Sequence, residues 1–390
     1  MLSSRVLTSL VRSTSRPFSS VASTHNERVK THILLLHEGF PRSEFYARKA
    51  LSKEAKLFYN LPRKWNFDIP SWTIPKKVGR CMEEYGRHGD VQERVMVPLS
   101  QSLQSTLIRL MPELESVRVS CASPFESPTI HETVKSILES GVSRLIVMPF
   151  QPHFGCTRSG LLLNEVSRIV DTLTIPSSSG ETRIVPFTAT ETTVSCIERW
   201  STHPVISNLW SSRLEGLRPS LDDVLFVAPV LRGQGRRDYE RSVYASAERT
   251  IAETRAPLPW RVAFFNGWNQ WDIPVFENIS IQLRHFKEKR VAIVPITNVI
   301  PSFDTISTLP HLLDGQANLQ LLPPEVGPVL IQGMAELLKN HLLGRRSFQA
   351  TTALEQPDRS YVPFWDDFFL ILRTSRSLSV VEGNRLIVVE

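Results

Sequence analysis

The sequence predicts an α/β protein made of two doubly wound parallel-sheet halves. Short apolar runs alternate with helix-like patterns, and these runs are nearly continuous in Val, Ile, Leu and Phe. Strands that are buried on both faces of a parallel sheet have this composition, and strand–helix alternation is typical of right-handed βαβ units. A length of 390 residues exceeds what one simple core usually holds, which favours two such units.

Seven apolar runs are predicted to form strands, four before residue 190 and three after it. They are His32–His37, Val117–Cys121, Arg144–Pro149, Arg183–Phe187, Val224–Ala228, Arg261–Phe265 and Arg290–Ile296. Three intervening segments have helix-like patterns, and Gly141 and Gly344 stand where two of these helices are expected to stop. The helices are predicted over Thr129–Ser140, Asp238–Thr254 and Gly327–Leu343.

This pattern divides the chain into a leader, two α/β halves and an extension. The turn-rich stretch Pro176–Gly180 precedes the division between the halves. The aromatic and apolar run at 361–372 does not continue the alternation and is compatible with packing back on the body. The four parts are residues 1–24, 30–189, 190–344 and 345–390.

The leader is rich in serine, lacks acidic residues and places Arg5, Arg12 and Arg16 among aliphatic residues. Such a segment can form a basic amphipathic helix of the mitochondrial presequence type; a disordered tail is the alternative. The expected location is the mitochondrial matrix, with peripheral association with the inner membrane left open. Removing these three arginines from the formal charge of +6 leaves about +3, so the basic footprint of a nucleic-acid binder is missing.

Membrane spans and cysteine-based sites are not predicted. Past the leader, the sequence contains no run of the ~20 apolar residues that a spanning helix needs. The four cysteines, Cys81, Cys121, Cys156 and Cys196, are widely spaced and form no C-x-x-C pair. Neither a zinc site nor a disulfide framework follows from that spacing, and isolated, mostly buried thiols are expected.

Six loops are candidates for the functional site because each follows a predicted strand. In open α/β sheets, ligands bind beyond the carboxyl ends of the strands, where the strand order reverses. The loops are Glu38–Pro41, Ser123–Pro128, Gln151–Ser159, Pro229–Arg236, Asn266–Pro274 and Asn298–Thr305.

Several of these loops resemble motifs of ferrochelatases, the enzymes that insert ferrous iron into protoporphyrin IX to make haem. The stretch MPFQPHFGCTRSGLLLN resembles the family's P-L-Y-P-Q-Y-S-x-S-T-x-G-S loop, and five further segments resemble family motifs in family order. The six matching segments are Lys30–Pro41, Met148–Asn164, Ile197–Pro204, Leu225–Arg232, Trp271–Ile279 and Val294–Leu313. The resemblance implies two Rossmann-like, chelatase-type halves with a porphyrin cleft between them, and it agrees with a mitochondrial leader.

The chemistry that the resemblance implies is interrupted at three positions, one on one wall of the implied cleft and two on the other. Iron insertion needs a base for the pyrrole protons and oxygen or imidazole ligands for the ferrous ion. Pro229 occupies the position of the family histidine and can neither accept a proton nor bind a metal. On the opposite wall, Ser302 and Asp304 stand in place of the histidine and glutamate of D-H-I-E-T. Asp304 is therefore the only candidate catalytic residue, and no metal ligand set is predicted.

The remaining candidates concern porphyrin contact and an iron–sulfur cluster. The candidate porphyrin-cleft residues are Phe40, Phe154, Ser159, Phe265 and Trp268. Animal members of the family carry a [2Fe–2S] cluster, and Cys156 falls at the position of one ligand. No cysteine follows Cys196, so no such cluster is expected, and Cys156 is interpreted as an inert buried thiol.

Three polar residues have a structural alternative to a functional role. His153 replaces a family glutamine and is either a haem or metal ligand or a polar surface group. His203 is either a ligand contact or a structural residue at a helix start. Asp304 is either an acid or base, or a helix N-cap.

Three functions are left open at this point. The first is a pseudo-enzyme that binds porphyrin or haem, or meets a partner protein of the haem or iron pathway. The second is an active ferrochelatase that uses Asp304 and water. The third is an interaction protein whose cleft is filled by Phe40, Phe264, Phe265 and Trp268. Homodimerisation is left open in each case.

Overall fold

A computed structural model gives the fold. It describes both α/β halves and two short strands near the carboxyl terminus. Residues 43–48 and 78–86 are described in part. The described residues are otherwise 31–39, 92–114, 116–124, 127–155, 158–172, 192–231, 235–265, 277–286, 288–344, 379–380 and 386–387.

The first half is a four-stranded parallel sheet in the order β2-β1-β3-β4. Its strands are β1 (Thr31–Leu36), β2 (Val117–Ala122), β3 (Arg144–Pro149) and β4 (Thr193–Cys196). Its helices are α1 (Val97–Leu110), which follows a π-helical turn (Gln92–Met96), α2 (Ile130–Glu139) and α3 (Ser159–Thr172).

The second half repeats this arrangement as a parallel sheet in the order β6-β5-β7-β8. Its strands are β5 (Asp223–Pro229), β6 (Trp260–Phe265), β7 (Val291–Val294) and β8 (Leu319–Leu321). Its α-helices are α4 (Pro204–Leu217), α5 (Arg236–Ala252), α6 (Ile279–Gln282), α7 (Leu309–Leu313) and α8 (Pro328–Leu342). Three further turns are 3₁₀ or π-helical: Arg218–Ser220, Leu283–Phe286 and Asp304–Thr308. A short antiparallel ribbon, β9 (Ser379–Val380) and β10 (Leu386–Ile387), lies near the carboxyl terminus.

One hydrophobic core joins the two halves. Ile33 of β1 and Phe226 of β5 belong to the same cluster of buried side chains, together with residues of α1, α4, α5 and α8. The opposite face of each sheet has its own smaller core, against α2 and α3 in the first half and against α6 and α7 in the second. Each sheet is therefore covered on both faces, which explains its nearly continuous apolar strands.

The structure confirms the predicted fold class, and six of the seven predicted strands match within a few residues. The seventh, Arg183–Phe187, lies outside the described residues, as do the leader and most of the extension. The last predicted strand ends earlier than expected, at Val294, because Pro295 has no N–H to continue the ladder. Two edge strands were missed, since β4 and β8 are only four and three residues long.

The boundary between the halves needs a correction. It was placed at residue 190, but Thr193–Cys196 pairs with β3 in the first sheet. The first half therefore extends beyond residue 189, to at least Cys196. The turn-rich stretch at 176–180 precedes the last strand of the first sheet and does not mark the change of sheet.

The helix ends follow their local sequence. Thr129 and Glu132 form a capping box at the start of α2, and Gly141 closes that helix with φ 71°. All three predicted helices are confirmed. The patterns of α1, α3 and α4 were not singled out in advance.

Candidate functional site

The candidate site lies where the two halves face each other at equivalent positions. In each sheet the order reverses beside the first strand of that half, so the crevice opens between β1 and β3 and between β5 and β7. The loops that follow β1, β3 and β7 meet here. Their residues line one small cavity, which includes Glu38, Gln151 and Ser302.

Arg158 connects these loops through charge. It lies just before α3, and its Nη1 is 3.3 Å from Oε1 of Glu38, which follows β1. Its Nη2 is 2.6 Å from Oδ2 of Asp304, which follows β7 in the other half. Arg158 and Asp304 are largely shielded from solvent, at 18% and 12% exposed, whereas Glu38 is 31% exposed. The one carboxylate expected to do chemistry is thus held in an ion pair across the cleft.

Two tight turns, one at Glu38 and one before α3, position the charged side chains that form these ion pairs. Gly39 has φ 77°, and its N–H donates to Nδ1 of His37. This bond and the left-handed backbone at Gly39 form the tight turn that carries Glu38. Before α3, the hydroxyl of Ser159 accepts from the N–H of Gly155 and donates to its carbonyl. These bonds fix the turn that holds Arg158 at the rim of the cleft.

Asp304 is not a helix cap, so that one of its two predicted roles is wrong. It is the first residue of the π-helical turn that precedes α7, and its side chain caps no N–H there. Ser302 and Thr305 make the reciprocal bonds instead: the Ser302 N–H donates to Oγ1 of Thr305, and the Thr305 N–H donates to Oγ of Ser302. The serine that replaces the family histidine is therefore a capping residue, and the Asp304 carboxylate is left to face Arg158.

Pro229 is the last residue of β5 and offers no side-chain donor or acceptor to the cleft. Its carbonyl accepts a hydrogen bond from the hydroxyl of Tyr239, at 2.9 Å. Burial raises the pKa of Tyr239, so this phenol stays protonated at neutral pH. Neither residue can serve as a base for a bound ligand in this arrangement.

His153 is buried, which corrects the expectation of a surface group. It is 2% exposed, and its Nε2 lies 2.9 Å from the hydroxyl of Ser246 on α5, which itself donates to the carbonyl of Ser201. Burial lowers the pKa of His153 to about 3, so the imidazole is neutral. It joins the loop after β3 to the second half.

His203 is a structural residue at a helix start, the second of its two predicted roles. Its Nδ1 accepts from the N–H of Val205 and so caps the start of α4. Burial lowers the pKa of His203 to about 4. This neutral side chain serves the helix rather than a ligand.

Of the candidate porphyrin contacts that the structure describes, two are buried and one is partly exposed. Ser159 is fully buried within its own loop, and Phe265 is enclosed in the core that belongs to the second half. Phe154 is partly exposed, and the guanidinium of Arg199 lies 4.7 Å from the centre of its ring. Phe40, Trp268 and Cys156 lie outside the described residues. Phe264, expected as a cleft filler, is fully buried in the core that the halves share.

The cavity between the loops is small. Its volume is about 20 Å³, which is room for about one water molecule, whereas pockets for drug-sized ligands hold ~300–1,000 Å³. In the part of the chain that the structure describes, no three His, Cys, Asp or Glu side chains are grouped to hold a metal ion. Among the same residues, no helix is long and apolar enough to cross a membrane. Cys121 and Cys196 are buried free thiols, and burial raises the pKa of both.

Sequence reasoning missed the role of Arg158, although the residue stood inside a recognised motif. A lone basic residue in a loop that otherwise carries small and aromatic residues was the available signal. Its partners follow strands β1 and β7, and only the packing of the halves brings those two strand ends together.

Two parallel α/β halves that face each other across their strand-reversal crevices define a class of two-domain α/β proteins with a crevice between the domains. Within that class, the sequence model of the ferrochelatase family matches residues 46–317. The chain belongs to the ferrochelatase family.

Individual relatives are distant. The ferrochelatase of Synechococcus sp. (strain RCC307) is 22% identical over 235 residues, which cover 56% of this chain and 57% of the relative. The ferrochelatase of Synechococcus sp. (strain JA-2-3B'a(2-13)) is 23% identical over 279 residues, covering 65% of this chain and 75% of the relative. The ferrochelatase of Francisella tularensis subsp. tularensis (strain WY96-3418) is 23% identical over 151 residues, which cover 37% of this chain and 44% of the relative. The matches to the RCC307 and Francisella relatives thus span about half of each relative's length.

A similar solved structure is that of SirB from Bacillus subtilis with Fe3+. It is 12% identical, has a TM-score of 0.46, and the match covers 82% of this chain and 100% of that chain.

Proposed function

We propose that this protein is a pseudo-enzyme of the ferrochelatase family, without efficient iron insertion, that binds a porphyrin or haem or meets a partner protein of that pathway. One observation carries the proposal: the Asp304 carboxylate is paired with Arg158 at 2.6 Å. A carboxylate held in an ion pair is not free to take a pyrrole proton or to hold iron.

The opposite wall supports the same conclusion. Pro229 has no side-chain base, its carbonyl is bonded to Tyr239, and the phenol is protonated. Loss of one general acid or base typically lowers a rate by about 10²–10⁴-fold. Here the wall at Pro229 has no acid or base side chain, and on the opposite wall the Asp304 carboxylate is paired with Arg158.

The deciding experiment is anaerobic insertion of ferrous iron into protoporphyrin by residues 25–390, followed through the loss of porphyrin fluorescence. We expect no turnover above the protein-free rate. Turnover clearly above that rate would overturn the proposal and would favour an active ferrochelatase. The same titration reports binding, because a shifted porphyrin spectrum without insertion is the result expected of a porphyrin-binding pseudo-enzyme.

A second candidate is an interaction protein whose cleft is closed by its own side chains. The cavity of about 20 Å³ favours it, since a porphyrin needs the loops after β1, β3 and β7 to separate. No change in porphyrin fluorescence at any protein concentration would support this candidate over porphyrin binding.

Restoring the family residues gives a stricter test. The double variant Pro229→His with Asp304→Glu supplies both missing groups, but Arg158 still faces the carboxylate. We expect the double variant to stay inactive and the triple variant with Arg158→Gln to gain measurable insertion. Equal activity of the double and triple variants would show that the ion pair does not suppress chemistry. The single variant Arg158→Gln is the matched control.

We also propose a mitochondrial location, on the basis of the acid-free, arginine-bearing leader. Residues 1–30 fused to a fluorescent protein are expected to direct it to mitochondria. A fusion in which Arg5, Arg12 and Arg16 are replaced by glutamine should stay in the cytosol. Cytosolic fluorescence from both fusions would contradict the proposal.

A further inference from the structure

We propose that the outer edge of β4 is a strand-accepting surface and that the chain's own carboxyl-terminal ribbon, β9 and β10, is its built-in occupant. In this assignment β10 extends the first sheet by one strand beyond β4 and closes the sheet to extended segments of other molecules. The inference goes beyond the proposed function, because it concerns the edge of the first sheet and does not depend on what the cleft binds.

The outer edge of β4 presents backbone groups that can pair with a further strand. β4 is the last strand of its sheet, and the N–H of Thr193 donates to the carbonyl of Ser143 on the β3 side, at 2.8 Å. Successive N–H groups of a strand point to opposite sides, so those of Val194 and Cys196 point to the outer edge. Such outward N–H and C=O groups are a template for one more strand.

Both faces of β4 are covered within the protein. Val194 belongs to the core against α2 and α3. Ser195 points to the opposite face, where its hydroxyl lies 2.9 Å from Nε2 of His341, near the end of α8. The edge is therefore the surface of β4 at which a further element can join the sheet.

β10 lies at the distance of a neighbouring strand. Cα atoms of β10 lie within 8 Å of Cα atoms of β4. Neighbouring strands of one sheet are ~4.8 Å apart and stacked sheets are ~10 Å apart, so this separation is that of a neighbour at the edge and not of a second layer. β10 also pairs with β9. This arrangement places β10 between β4 and β9.

The ribbon needs such a neighbour. Its sequence has the pattern of a β-hairpin, because the runs SLSVV and LIVV flank a segment that contains Gly383 and Asn384. A two-stranded hairpin by itself is marginally stable in water, and a third strand is the usual remedy. β4 supplies that third strand.

The end of α8 brings the extension to this sheet. Nη1 of Arg144, the first residue of β3, lies 3.5 Å from the carbonyl of Leu342, the last residue of α8. The extension that carries the ribbon therefore begins beside β3 and β4. A tethered strand binds as an intramolecular ligand at high effective concentration, so it excludes free strands from the same edge.

The first experiment measures the binding of a fluorescent peptide of residues 377–390 to the full chain and to a variant that ends at residue 376. We expect the peptide to bind the truncated variant at least about tenfold tighter, because the edge of the full chain is occupied. The same peptide with Leu386→Pro and Ile387→Pro is the matched control. Successive N–H groups point to opposite sides of a strand, so this double substitution removes whichever N–H faces β4, and the control peptide should not bind.

Hydrogen exchange of single amides in the full chain keeps the test decisive if truncation weakens the protein. With Leu386→Pro and Ile387→Pro, the amides of Val194 and Cys196 should exchange at least about tenfold faster than in the wild-type protein. The amide of Ser195 faces β3 and should be unchanged.

The control for exchange is Thr374→Pro with Ser375→Pro, which lies in the same extension ahead of the ribbon. It should leave all three amides of β4 unchanged. The inference is wrong if exchange at Val194 and Cys196 is the same with and without an intact ribbon, or if the peptide binds the truncated variant no more tightly than the full chain. Neither result would bear on iron insertion, which alone decides the proposed function.

Discussion

The two halves repeat one strand order but place different chemistry at their shared cleft. After its third strand, the first half carries a basic residue, Arg158, and after its third strand the second half carries an acidic one, Asp304. After their first strands, one half presents Glu38 and the other the apolar turn that starts at Pro229. The charges on these loops therefore pair with one another across the cleft. A repeated scaffold can thus keep its strand order while the loops after its third strands, which carry Arg158 and Asp304, form an ion pair with each other.

The largest expected effect tests whether the halves are separate folding units. Leu34 in β1 and Leu225 in β5 are fully buried in the cores that belong to one half each. Replacing either by alanine should lower the free energy of unfolding by about 2–5 kcal/mol. Because a common core joins the halves, we expect one urea transition by circular dichroism and by tryptophan fluorescence, shifted as a whole in both variants. Two transitions, of which only one moves, would mean that the halves unfold independently.

A smaller effect is expected where two helices of the second half, α4 and α8, cross closely. A Cβ on Gly333 of α8 would lie 2.3 Å from Cγ2 of Val205 and 3.3 Å from its Cα, at the start of α4. Gly333→Ala should therefore destabilise the protein by about 1–3 kcal/mol in urea titrations. Gly216 in α4 has open space around its Cα, so Gly216→Ala should be neutral or slightly stabilising. Equal behaviour of the two variants would show that the helices separate at little cost.

The smallest effect concerns pH and the bond from His153 to the second half. The pKa of His153 is lowered to about 3 by burial, so its contribution to stability is complete above pH 6.5 and is lost as pH falls toward 3. Between pH 6.5 and 5.5, this one histidine should reduce the free energy of unfolding by about 1 kcal/mol. His153→Gln should remove that part of the pH dependence in urea titrations. An unchanged slope in His153→Gln would contradict the assignment.

The sequence alone determined the fold class and the position of the site loops. Both depend on local information: apolar runs such as Arg144–Pro149 form strands because they are buried on both faces, and ligand sites in such sheets follow the carboxyl ends of strands. The absence of a side-chain base at Pro229 and the structural role of His203 could also be read from residue type and local context. Short edge strands such as β8 carry too few residues to give a periodic signal.

Only the tertiary structure decided what the surviving polar residues do. Asp304 is followed by a helical stretch and suggested a cap, but Ser302 takes the capping bonds and leaves the carboxylate to Arg158. His153 suggested a surface loop, but α5 covers it. Arg158 is 146 residues from Asp304 along the chain, and nothing local relates the two. Their pairing follows from the packing of one half on the other, which is a property of the shared core and not of either loop.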